Sequence, residues 1–100
     1  MENNTGNTQT VWIADFTINE PLHEAASSIS AAYTRMTINF PEDPSAKVWN
    51  EEALTWHRYY TNINKMIFST HEEGELEIER IGKINRDVLE IEQNLITKSN

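Results

Sequence analysis

The chain has no cysteine, which rules out disulfides and thiolate-bound metals and favours a cytoplasmic setting. It has 3 glycines, and none sits in a phosphate-cradling loop, so no nucleotide site of that kind is expected. Basic residues are also scarce: 8 Lys and Arg stand against 16 Asp and Glu, for a net charge of -8 and a pI near 4.7. Phosphate backbones are held by Lys and Arg, and direct binding of nucleic acid is not expected. No apolar run approaches the roughly 18 residues that span a bilayer. Residues 1–10 lack the basic and apolar regions of a secretory signal. A protein with no membrane segment and no signal is the expectation.

What the chain does have is periodicity. Apolar residues alternate at spacings of four and three in three stretches: Leu22, Ala26, Ile29, Tyr33, Met36, Phe40; then Trp49, Ala53, Trp56, Tyr60, Ile63, Ile67; then Ile81, Ile84, Val88, Ile91, Leu95. Each is the stripe of a helix packed lengthwise on a neighbour. At 100 residues the chain makes one domain with a modest core, and folding at that size buries roughly two-thirds of the unfolded surface. Its mean hydropathy of -0.61 lies on the polar side, which suits wet helix faces or burial completed by partners. The expected fold is all-α: a small three-helix bundle, or a helical hairpin plus a C-terminal helix, with an extended N-terminal arm.

Residues 1–10, rich in Asn and Thr, read as a flexible leader to a single helical domain over 11–100. In the arm, 11–18, Trp12, Ala14, Phe16 and Ile18 alternate with Val11, Ile13, Asp15 and Thr17, the period of an extended segment. The arm either pairs as a strand or lays Trp12 and Phe16 into a groove between helices. The first helix is predicted over 20–39, with Asn19 as its cap and Pro21 in its first turn, ending before Pro41. Asp43 and Pro44 open a second helix over 44–69. Gly74 is the expected break before a third over 75–97; without that break the last two helices fuse into one rod. Aromatics and a second apolar strip mark helix two as the expected centre of the fold.

Tests for chemistry come back empty. His23, His57 and His71 lie far apart and match no zinc spacing. No nucleophile elbow is present, and the serines 27, 28 and 30 sit in a run of small residues that suits close helix packing. No enzymatic activity, cofactor or metal is expected. Two surfaces stand out as partner sites. One is the acidic run Glu72, Glu73, Glu75, Glu77 and Glu79, broken by no base until Arg80. The other is apolar: Trp12 and Phe16 of the arm, with Tyr59, Met66 and Phe68 beside the helix-two seam, and aromatics of this kind dominate interface hot spots.

An acidic body is steered toward basic surfaces, including the nucleic-acid grooves of other proteins. In size and charge the chain is similar to small phage-encoded inhibitors of host defence nucleases, including CRISPR nucleases, an analogy that carries no motif. The leading expectation is a non-enzymatic protein that binds and inhibits or modulates a partner with a basic surface, and that forms a homo-oligomer. The alternatives are a structural protein assembling as a helical homo-oligomer, and a nucleotide-binding sponge using helix-two aromatics with Arg58 or Arg35. In helix three the positions flanking the seam, Asn85, Asp87, Glu92 and Asn94, lack the complementary charges of a self-sufficient zipper.

Overall fold

Helix α1 (Phe16–Asn39) is the element on which the others pack. Helix α2 (Ala46–Thr61) and helix α3 (His71–Ser99) both lie against it, whereas no Cα of α2 comes within 8 Å of one in α3. The computed structural model describes residues 15–99, and among these the regular elements are the three helices and a short 3-10 turn, Ile63–Lys65. The fold is an all-α bundle, as the three stripes predict. The leader, Trp12 and the rest of 11–14 lie outside the described residues.

The expected centre, helix two, is corrected to α1, and the run of small residues explains why. Ala26, Ile29, Ala32 and Met36 are all fully buried, and alanines among them let two other backbones approach from different sides. In α2 only Trp49 and Ala53 are buried, each keeping 8% exposure. Its Trp56, Tyr59 and Tyr60 are half-buried, lying at the margins of the core.

The arm is also corrected. Helix begins at Phe16, so residues 16–18 are helical and neither strand nor extended arm. Asp15 caps it: its carboxylate accepts from the Thr17 backbone N–H at 3.0 Å and the Thr17 hydroxyl at 2.6 Å. Ile18 and Asn19 on the first turn and Leu22 on the next are buried, which holds the added turn in place. Pro21 therefore lies inside α1, where it removes one helical N–H donor. The far end falls where Pro41 dictates, after Asn39.

Helix α2 starts at Ala46 and stops at Thr61, eight residues short of the predicted end at 69. The stop has a local cause. Side chains of Thr61 and Asn62 both donate to the Arg58 carbonyl, and the Asn62 N–H is shared among the carbonyls of Arg58, Tyr59 and Tyr60, local bonds that compete with continuation of the helix. The turn that follows drives Ile63 into the core at 1% exposure, while Ile67, now outside any helix, is 62% exposed.

Helix α3 begins at His71, and Gly74 does not break it. Gly74 is buried in its first turns because α3 runs directly over α1 there: a Cβ on Gly74 would sit 2.9 Å from Ile18 Cδ1. The start is set instead by Thr70 and Glu73. The Glu73 N–H donates to Thr70 Oγ1 at 3.1 Å, and Glu73 Oε1 accepts from the Ser69 N–H at 3.0 Å, a capping box with its return bond shifted by one residue.

Side-chain pairings give the topology. Asn19 meets Asn64, and Ser30 meets Ala53, so α2 runs antiparallel to α1. Asp15 meets His71 at one end and Arg35 meets Glu92 toward the other, so α3 runs parallel to it. The predicted α3 seam is displaced by one step at this end. Glu92 is buried at 8% while Ile91 is 45% exposed, because Arg35 holds the Glu92 carboxylate through two bonds of 2.8 Å.

Candidate protein-binding surface

The acidic run at the start of α3 is divided by the fold. Two of its five carboxylates serve the structure. Glu73 closes the helix cap with Ser69 and Thr70. Glu77, half-buried, accepts from the Tyr59 hydroxyl at 2.6 Å and takes both Arg80 guanidinium bonds, at 2.9 and 2.7 Å. The hydrogen bond from Arg80, seconded by that from Tyr59, holds the Glu77 carboxyl below the usual range against the penalty of its burial. Burial, and then the bond to Glu77, push the Tyr59 phenol upward, so it stays protonated and donates.

The other three, Glu72, Glu75 and Glu79, are exposed. Glu75 lies 3.4 Å from His71 Nε2, a side chain that also stands 3.5 Å from Asp15. Positions 72, 75, 76 and 79 fall at i, i+3, i+4 and i+7, one face of the helix. Leu76 is therefore set among the three carboxylates, and it is 60% exposed. A large apolar side chain ringed by like charges has the form of an interface anchor with a polar rim.

The apolar candidates separate in the same way. Trp12 lies outside the described residues. Phe16 is 77% exposed on the first turn of α1, where it borders a cleft of about 370 Å³ with Asn19, Glu20, His23 and Asn64. Inside that cleft the Asn19 amide donates to Asn64 Oδ1 at 2.9 Å, and the His23 ring lies edge-on to Tyr60 with centroids 5.0 Å apart. Tyr59, Met66 and Phe68 are half-buried against the core. The Tyr59 ring packs beside Trp56 and its hydroxyl is bound to Glu77, so it joins helices of its own chain.

Among the described residues no three His, Asp or Glu side chains are grouped to hold a metal ion. Arg35, one of two cations considered for a stacked nucleotide, is engaged by Glu92. No described helix is long and apolar enough to cross a membrane.

Leu76 belongs to no seam, and its signal in the sequence is its place at the centre of three glutamates at helical spacing. The pattern Thr70-x-x-Glu73 was a second missed signal, since that capping motif fixes both the helix start and the structural use of Glu73. No protein-family model, curated protein or solved structure matches the chain.

Proposed function

We propose that the protein is a binding module that docks a basic surface of a partner protein onto the outer face of α3, through Leu76 within the frame of Glu72, Glu75 and Glu79. The observation that carries this reading is the division of the acidic run: Glu73 and Glu77 are used internally, while these three acids surround a leucine left 60% exposed. Leu76 supplies the apolar anchor, and the carboxylates supply orientation and a faster encounter with cations. A net charge of -8 repels nucleic acid and suits a partner whose own basic groove binds it. On this reading the protein is a non-enzymatic inhibitor or modulator in the cytoplasm. Its size and charge accord with a phage-encoded anti-defence protein occupying a nuclease groove.

The test is affinity capture from host lysate with the wild type beside two variants, Leu76→Ala and the pair Glu72→Lys with Glu75→Lys. A basic protein retained by the wild type, released by salt and lost with both variants supports the reading. An identical set of captured proteins for all three chains overturns it, provided their helical circular dichroism is the same.

A further inference from the structure

Gly82 has no reason to be glycine within its own chain. It lies inside the 29-residue helix α3, and glycine weakens a helix interior more than any residue except proline. At Gly74 the close approach of Ile18 explains the choice; at Gly82 a Cβ fits without a clash, in ordinary contact with Arg86 Nη1 at 3.8 Å. Around it lies a hollow of about 570 Å³ lined by Ile78, Glu79, Gly82, Lys83 and Arg86. On the same flank, at helical spacing from Ile78 and Gly82, Leu89 and Ile96 are 38% and 39% exposed. A bare backbone in an apolar row is where a second helix comes closest.

The charges beside the row select the occupant. Glu79 and Arg86 are seven residues apart, hence on one face, and neither forms an ion pair among the described residues. Lys83 is committed differently, reaching Asp87 of its own helix at 4.0 Å. We propose that α3 pairs with α3 of a second copy, antiparallel, about a two-fold axis beside Gly82. In that arrangement Glu79 of each copy faces Arg86 of the other, so two cross-chain pairs form at once. A parallel pairing sets like charge on like charge and is disfavoured. Leu76, two residues from Ile78 and so on the opposite side of the helix, points away from the seam in each copy. Glu75, seven residues from Gly82, and Glu79 border both the seam and the Leu76 face, so the two readings are separated at Leu76.

The experiment is light scattering and sedimentation equilibrium on the full chain at micromolar concentrations. Wild type is expected at twice 11.6 kDa. Gly82→Leu and Arg86→Glu are each expected to weaken dimerisation at least about tenfold with helicity retained, as loss of a close contact or a desolvated pair does. The double variant Glu79→Arg with Arg86→Glu restores dimerisation. A wild type of monomer mass, an unchanged dimer in Gly82→Leu, or failure of the charge swap to restore association overturns the proposal. Leu76→Ala leaves the dimer intact, so failure of the partner-binding reading shows separately.

Discussion

The Tyr59 hydroxyl donates to Glu77 Oε2 at 2.6 Å and so links α2 to α3, two helices whose Cα atoms stay more than 8 Å apart. With the backbones held apart, side chains must span the gap, and this bond is a charge-assisted one inside a half-buried site. Arg80 completes it with two bonds of its own, one to Oε1 and one to the Oε2 that also accepts from Tyr59.

Removing only the hydroxyl isolates that link. Tyr59→Phe keeps the ring in the core and leaves Glu77 with Arg80, so a loss of about 1 kcal/mol is expected. Urea denaturation measures it. Glu77→Ala strips partners from both Tyr59 and Arg80, and the expected loss rises to about 2 kcal/mol.

Gly74 offers a test by sign. If it marked a chain break or an open helix position, a side chain there would raise helix stability by about 1 kcal/mol. The buried contact with Ile18 predicts the reverse for Gly74→Val: overpacking and a loss of about 2 kcal/mol. Thermal denaturation of the variant decides between them.

The Arg35–Glu92 pair contributes pH dependence of known direction. Hydrogen bonding from Arg35 holds the Glu92 carboxyl below its ordinary value of 4.5. Its contribution is therefore complete above that value and disappears as the pH falls through the lowered one. Glu92→Gln is expected to cost about 1–2 kcal/mol at neutral pH. The difference in melting temperature from wild type should shrink as the pH falls below 4.5. A difference that does not change with pH contradicts this account of the pair.

The seams were legible because helix periodicity follows from burial, and Leu22, Ala26, Ile29, Met36, Trp49, Ile81 and Val88 all lie in the core. Boundaries were harder to read. The alternation in 11–18 resembles a strand, but the Asp15 cap and the burial of Ile18 bring its last residues into α1. Glycine has two opposed uses, and sequence alone favoured a break at Gly74 over the close approach that the fold makes there. The acidic run was visible as five charges. The Thr70-x-x-Glu73 pattern carries the use of Glu73 locally, but the link made by Glu77 depends on Tyr59, eighteen residues distant in sequence, a relation no local pattern carries.

That division is the central claim, and equilibrium urea unfolding of two paired variants tests it most directly. Glu73→Ala with Glu77→Ala removes the side chains that cap α3 and join it to α2, and the expected loss is about 2–3 kcal/mol. Glu72→Gln with Glu75→Gln removes the outward acids and is expected to change stability by no more than about 0.5 kcal/mol. Equal losses from the two pairs, or a larger loss from the second, would contradict the assignment of Glu73 and Glu77 to structure and of Glu72 and Glu75 to the binding face.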